Sequence, residues 1–290
     1  MSPVSRILEM RAEGQYCGVG DFYIDPSRSV GRAIITHGHT DHLRKGHKCY
    51  LISEASERIL VHRLGSRVKY QTLAFGAELV VNGVRVSLHS AGHILGSAQV
   101  RLEWRGYTVV VTGDCNLEAD ESCEVAEIVQ CDQLVTEPTF ALPVYAWQEQ
   151  SQVFDEMARW CVRCIERRVR PVLLCYSLCK AERVMVGLRA LAPLHVDAVL
   201  AFAEIYASQG VAMPATCPID RTRRPAILPP SGEAWLANHG PFQASIGPWV
   251  RWPGFALSDH VDWPGLNELV AGSGAATFSL VHGFSAEAAR

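Results

Sequence analysis

Thr36-His37-Gly38-His39-Thr40-Asp41-His42 places four metal-capable side chains within six residues, where the apolar run Arg32-Ala-Ile-Ile-Thr36 ends. On an extended segment, residues two apart point to the same side, so His37 and His39 can bind one ion together. Asp41 and His42 follow just after the turn and can face a second ion. Gly38 lets the backbone pass close to the site. Solvent-exposed polar residues in an ordinary loop rarely take this order.

Two further residues extend the pattern. His93 lies in Ser90-Ala-Gly-His-Ile-Leu-Gly-Ser97, where flanking glycines point to a tight loop between strands. Asp114 closes Val109-Val-Val-Thr-Gly-Asp114, the C-terminal end of a buried strand. Alone, the first reads as a loop histidine and the second as a turn or cap residue. Their weight comes from following the histidine cluster in order.

The surrounding texture is mostly β for about the first 145 residues. Asp21–Asp25, Arg32–Thr36, Glu78–Val81, Val84–His89, Ala98–Trp104 and Tyr107–Thr112 read as strands, and Asn82-Gly83 and Arg105-Gly106 as hairpin turns. Ser53–Leu64 reads as a helix. After Pro143 the spacing predicts a helix over Gln148–Arg168, a buried strand Pro171–Tyr176, and helices over Ser177–Leu191 and Leu200–Ser208. A Pro- and Arg-rich stretch, Met213–Pro230, reads as loop. Short strands return at Ala226–Leu228, Trp249–Trp252 and Thr277–Val281. The organisation is one α/β body, 1–145 with 256–290, interrupted by an inserted α/β subdomain, 146–255.

Composition narrows the class. Hydrophobic residues make up 48% and charged residues 20% of 290, which excludes wholesale disorder. Thirty acidic residues against 27 basic give a net charge of −3, which excludes a non-specific polycation. No apolar run reaches the ~20 residues that cross a bilayer. Met1–Arg6 has no apolar export signal, and ten cysteines are too sparse for a disulfide scaffold. The expected setting is cytoplasmic, with no membrane partner. Cys161-x-x-Cys164 has no second pair and reads as part of a helix.

The histidine cluster, the glycine-flanked His93 and the strand-terminal Asp114 together resemble the metallo-β-lactamase-fold hydrolases. Thr136-Glu137-Pro138-Thr139-Phe140, Ser258-Asp259-His260-Val261-Asp262 and Val281-His282-Gly283 resemble the three signature motifs of the β-CASP nucleases. Gly20–Asp25 and Gly92–Val100 are more particularly similar to the bacterial DNA ligase-associated exonuclease branch. The fold so implied is an αββα sandwich with an inserted β-CASP subdomain.

The resemblance implies roles residue by residue. His37, His39 and His93 would hold one metal, Asp41, His42 and His282 a second, and Asp114 would bridge them. Two divalent ions are implied; the ligand set suits Zn²⁺, with Mn²⁺ as the alternative. A water activated between them would attack the phosphodiester. His260 would protonate the leaving 3′-oxygen, with Glu137 orienting it and favouring its protonated form. Catalysis would thus rest on Asp41, Asp114, Glu137 and His260.

Substrate docking has its own candidates. Tyr176-Ser177-Leu178-Cys179-Lys180 joins a buried strand to a helix, with Lys180 and Arg183 in the first turns. A helix N-terminus with a hydroxyl and a lysine makes a phosphate cradle, and the resemblance implies that this segment faces the metals and grips a terminal phosphate. Arg167, Arg168, Arg170 and Arg221–Arg224 are further candidates for backbone contacts. Seven tryptophans could stack on bases, although Trp160 belongs to an apolar helical stripe. The expectation is a metal-dependent DNA exonuclease of DNA repair, working 5′ to 3′ from a 5′-phosphate end, associated with a DNA ligase and a helicase. The alternatives are an RNase of the RNase J or polyadenylation-factor type, a small-molecule metallohydrolase, which the long insertion disfavours, and a non-catalytic scaffold, which the full ligand set disfavours.

Overall fold

The computed structural model describes residues 7–137, 139–196, 200–220, 222–230, 242–246 (backbone only) and 254–281. The chain divides into two compact units, Met1–Ala146 with His260–Arg290, and Trp147–Asp259.

In the first unit, short strands with β-branched or aromatic interiors build two six-stranded sheets. The first runs in chain order: β1 (Leu8–Arg11), β2 (Gly14–Cys17), β3 (Phe22–Ile24), β4 (Ala33–Ile34), β5 (Tyr50–Ser53) and β6 (Tyr70–Leu73). From β3 onward its neighbours are parallel. The second contains β7 (Glu78–Val81), β8 (Val84–Ser90), β9 (Ala98–Trp104), β10 (Tyr107–Val111), β11 (Gln133–Thr136) and β17 (Thr277–Leu280). β7 to β10 form an antiparallel meander, continued by the parallel pairs β10–β11 and β11–β17. Asn82-Gly83 and Arg105-Gly106 have positive φ at both positions, the twist a two-residue hairpin needs.

Side-chain alternation assigns the layers. Phe22, Ile24 and Ile34 of the first sheet share a core with Val86, Leu88, Val100, Leu102 and Val109 of the second. The opposite face of the first sheet (Ala33, Tyr50, Ile52) packs on α1 (Glu57–Leu64) through Leu60. The opposite face of the second (Val110, Leu134) packs on α5 (Trp263–Ser273) through Leu266 and Leu269. The order of layers is helix, sheet, sheet, helix. Each fully buried aliphatic side chain contributes about 1.5–3 kcal/mol over an exposed one, so the two inward faces hold these layers in register.

This arrangement positions the loops that matter. β8, β10, β11 and β17 run the same way, so their C-terminal ends share one edge of the sheet. That edge carries His93, Asp114 and Glu137. Across the sandwich, β4 delivers Thr36, whose carbonyl accepts from the Ala98 N–H at 2.8 Å. Gly113 has φ +56°, and a Cβ there would lie 2.6 Å from Thr36 Oγ1. Only glycine allows this approach.

The second unit is a five-stranded parallel sheet ordered β14 (Thr216–Cys217), β13 (Leu194–Val196), β15 (Ala226–Leu228), β12 (Arg170–Leu174), β16 (Phe242–Ile246). α2 (Gln150–Glu166), α3 (Lys180–Gly187) and α4 (Leu200–Ser208) complete it, with Val153, Met157 and Cys161 of α2 in its core. Trp160 packs against that core, its ring 5.8 Å from Phe255. The Pro- and Arg-rich stretch contributes β14 and β15 to the sheet. The strand expected at 249–252 lies outside the described residues. All ten cysteines are thiols, and burial pushes Cys161 up to about 12. Among the described residues no helix is long and apolar enough to cross a membrane.

Candidate functional site

Four donor atoms converge at the shared sheet edge. His39 Nδ1 lies 3.1 Å from both His37 Nε2 and His93 Nε2. Asp114 Oδ2 lies 3.4 Å from His37 Nε2 and 3.6 Å from His93 Nε2. The three rings stand nearly perpendicular to one another, at 82–85°. An ion about 2.0–2.1 Å from four tetrahedral ligands sets those ligands about 3.3–3.4 Å apart. The observed separations bracket that value, so the donor set fits a divalent ion. His37 and His93 are buried, and burial with the neighbouring His42, His39 and His93 holds the His37 imidazolium well below its usual range. It stays neutral, as a ligand must.

A second set shares Asp114. His42, Asp114 and Glu137 offer atoms within 4.8 Å of one another. His42 Nε2 is 3.7 Å from Asp114 Oδ2 and 3.9 Å from Glu137 Oε2. Burial disfavours the His42 cation, but Asp25, Asp114 and Glu137 outweigh it and raise it to about 10. Burial lifts Glu137 to about 8; His42 opposes the shift and Asp114 adds to it. Two buried carboxylates pressed together beside an imidazole are a charge pattern that a cation relieves.

Asp25 is the residue that sequence reading missed. Its Oδ2 accepts from His42 Nδ1 at 2.8 Å, and from Thr36 Oγ1 at 2.5 Å. Its Oδ1 accepts from the Thr36 N–H at 2.8 Å. Thr36 Oγ1 in turn lies 3.1 Å from His37 Nδ1. With both Nδ1 atoms so engaged, His37 and His42 present Nε2 to the donor sets. Asp25 closes the run Gly20–Asp25, and its strand-terminal place, like that of Asp114, is the signal the sequence holds.

The other expected residues sit as follows. Asp41 is exposed, its Oδ2 3.8 Å from His42 Nε2. His260 Nδ1 lies 3.5 Å from Asp114 Oδ1, and its ring is 4.7 Å from His93 and 5.8 Å from Phe140. The carboxylate placed at His260 Nδ1 is thus that of Asp114, while Glu137 is gathered with His42. His282 lies outside the described residues; Val281, just before it, lines the same cavity as Asp41, His42, Asp114, Glu137 and His260. That cavity has a volume of about 710 Å³.

The expected phosphate cradle in the second unit is arranged differently. α3 begins at Lys180, three residues later than expected. The Ser177 hydroxyl donates to Glu182 Oε1 at 3.1 Å, and the Cys179 N–H to Glu182 Oε2 at 2.7 Å. Buried Glu182 is therefore the anion at this helix start. Arg183 is 1% exposed and donates to the Ser258 carbonyl at 2.8 Å and to Gln150 Oε1 at 3.3 Å. Arg183, one of the residues expected at the phosphate, is thus tied inside the second unit. Tyr176 is exposed and Lys180 half-buried. Arg170 is likewise buried, donating to the carbonyls of Asp220 and Thr222. Arg221 lies outside the described residues.

No family model matches the chain. It is 28% identical over 299 aligned positions to a Probable DNA ligase of Opitutus terrae, covering 96% of this chain and 29% of that protein. It is 24% identical to the Cleavage and polyadenylation specificity factor 73 of Drosophila melanogaster (59% of this chain, 26% of that protein). To the Endoribonuclease YSH1 of Saccharomyces cerevisiae it is 26% identical (44% and 17%). The chain thus spans less than a third of the length of these relatives. A crystal structure of a protein of unknown function from Enterococcus faecalis V583 shares the fold, with a TM-score of 0.63, 11% identity, and coverage of 87% of this chain and 75% of that one.

Proposed function

We propose that this protein is a metal-dependent nuclease of the metallo-β-lactamase fold, its first unit the metallo-β-lactamase domain and its second a β-CASP insertion. The observation that carries the reading is the meeting of His37, His39, His93 and Asp114 at tetrahedral spacing beside a cavity. The similarity to a factor named for cleavage and to a named endoribonuclease supports a phosphodiester substrate.

His37, His39, His93 and Asp114 would hold one divalent ion, and His42, Asp114 and Glu137 a second, with Asp41 and His282 as its further ligands. Zn²⁺ suits this set, and Mn²⁺ is the alternative. Such ions supply Lewis acidity toward a phosphoryl oxygen and lower the pKa of water. Asp25 and Thr36 hold the tautomers of His37 and His42. His260, its Nδ1 3.5 Å from Asp114 Oδ1, would serve as the acid toward the leaving 3′-oxygen.

We read the substrate as DNA, degraded 5′ to 3′ from a phosphorylated end, with Tyr176 and Lys180 as candidates for the terminal phosphate. The match along 96% of this chain to part of a protein named a DNA ligase supports an association with ligase and a role in DNA repair; the helicase association rests on the motif resemblance alone. The ten thiols accord with a reducing, cytoplasmic setting.

The test is a panel of end-labelled DNA and RNA strands, 5′-phosphorylated or 5′-hydroxyl, offered to metal-stripped protein with Zn²⁺, Mn²⁺ or Mg²⁺ added back. Metal-dependent shortening of 5′-phosphorylated DNA is expected. Cleavage of RNA alone would move the reading to the RNase alternative, and no cleavage with any ion would end it.

A further inference from the structure

Two loops of the first unit run side by side outside the metal-ligand set. The loop 26–32 follows Asp25, and the loop 43–49 follows His42. The Lys48 N–H donates to the Val30 carbonyl at 3.0 Å, and the Val30 N–H to His47 Nδ1 at 3.3 Å. Gly46 approaches so closely that a Cβ there would lie 2.5 Å from Ser29 Oγ. The pair is therefore one tied surface.

Its charge is one-sided. The loops carry Arg28, Arg32, Arg44, Lys45 and Lys48, all exposed, and no carboxylate. From Pro26 to Ser53 the sole acidic residue is Asp41. None of the five cations forms an ion pair among the described residues; Arg44 Nε donates to the Asp41 carbonyl at 3.3 Å. On a chain of net charge −3, such a cluster is a local field of opposite sign.

Its position matters as much. Arg44 lines the cavity onto which His39, His42, Asp114 and Glu137 open. Arg32 and Lys48, with Lys69, line a second cavity of about 540 Å³ whose lining contains no acidic residue. Arg32, Cys49 and Lys69 lie in one row across the sheet, because the next residues, Ala33, Tyr50 and Tyr70, are register partners. Adjacent strands are about 4.8 Å apart. At no more than ~3.6 Å per residue, the Cα atoms of Arg32 and His37 are within about 18 Å. Basic side chains thus run from Arg44 at the first cavity, along the loop 43–49, to Lys48, Arg32 and Lys69 at the N-terminal ends of β5, β4 and β6.

We propose that these paired loops are a docking track for the phosphodiester backbone of a nucleic-acid strand that extends beyond the site of cleavage. The inference rests on the nuclease reading above and adds the surface that receives the strand. Guanidinium and ammonium groups at this spacing bind phosphates without reading bases, so the track takes DNA or RNA alike.

The test uses the variant R32A/K45A/K48A, whose positions stand apart from every donor side chain. Binding of fluorescein-labelled single-stranded 20-nucleotide DNA and RNA is measured by anisotropy in chelator across a NaCl series. Hydrolysis of bis(p-nitrophenyl) phosphate with Mn²⁺ is measured in parallel. Each lost single-strand phosphate contact lowers the salt slope by about 0.7, so the variant is expected to lose about two units of slope and roughly tenfold or more in affinity at low salt. Turnover of the small diester stays within about twofold, because it never reaches the loops. The charge-preserving R32K/K45R/K48R keeps the parent affinity. Equal affinity and slope in parent and alanine variant would overturn the track. Loss of binding in the variant, with a parent that binds strands but hydrolyses neither substrate, would sustain the track while the nuclease reading failed.

Discussion

Two strand-to-loop junctions, one in each unit, attract a functional reading for the same reason: polar side chains gather where a buried strand ends. After β4, His37 and His39 meet His93 and Asp114, and four potential ligand atoms face one another. After β12, the Ser177 hydroxyl and the Cys179 N–H meet the Glu182 carboxylate, and donors face an acceptor. The second junction satisfies itself; the first gathers ligand atoms that could hold a cation. Whether the partners of a polar cluster lie within the fold decides between structure and function, and residue type alone does not reveal it.

Asp114, which belongs to both donor sets, separates the two junctions most clearly. Asp114→Ala is expected to lower nuclease turnover roughly thousandfold or more, with circular dichroism and melting temperature close to the parent. Activity within tenfold of the parent would refute a shared ligand.

The second junction predicts the reverse pattern. Arg183→Ala removes a buried cation that donates to Ser258 and Gln150, at a cost of about 3 kcal/mol in stability. Urea titration should register that loss, while kcat per folded molecule is unchanged. A raised KM for 5′-phosphorylated strands with unaltered stability would return Arg183 to the substrate.

Asp25 tests how the first junction is held. Asp25→Asn should weaken metal binding about 10–100-fold, as loss of a hydrogen bond behind a ligating histidine does. Isothermal titration with Zn²⁺ reads this directly, and an unchanged affinity would remove Asp25 from the site.

Ser177→Ala separates the two junctions more gently. It is expected to destabilise the second unit by about 1 kcal/mol, leaving the ratio of rates on 5′-phosphorylated and 5′-hydroxyl strands unaltered. A fall in that ratio would mean that the hydroxyl serves a phosphate.

The smallest effect concerns His195, buried on β13. Burial lowers its pKa, Asp220 opposes the shift, and Arg170 and Arg224 add to it. Its folded pKa lies below the unfolded value of about 6.5, so the unfolded chain binds more protons and stability falls as the pH drops below that value. His195→Gln should flatten the decline in melting temperature between pH 7.5 and 5.5; an identical decline would assign it to other groups.

Much of this was legible beforehand where the signal is local. The two Gly-containing hairpins and the strands around them follow from turn chemistry and alternation, and the histidine cluster from spacing. What escaped depends on neighbours distant in sequence. α5 was missed because Asp262 was read only within the Ser258–Asp262 motif, although it caps the helix through the Gly265 N–H at 2.9 Å, with Pro264 in the first turn. Asp25 looks like any strand-end aspartate until Thr36 and His42 are beside it. Arg183 looks like a helix-surface cation because its burial arises from packing against Gln150 and Ser258. The onset of α3 moved to Lys180 because Glu182 caps at Cys179, a side-chain choice that helical periodicity does not report.

On the proposed function, donors from the loops after β4, β8, β10 and β11 enclose divalent ions. Counting metal per chain by inductively coupled plasma mass spectrometry, after dialysis of the reconstituted parent and of His37→Ala/His93→Ala, tests it most directly. Two ions per chain are expected in the parent, and one or none in the double variant. An equal count in both, or no retained ion in the parent, would contradict it.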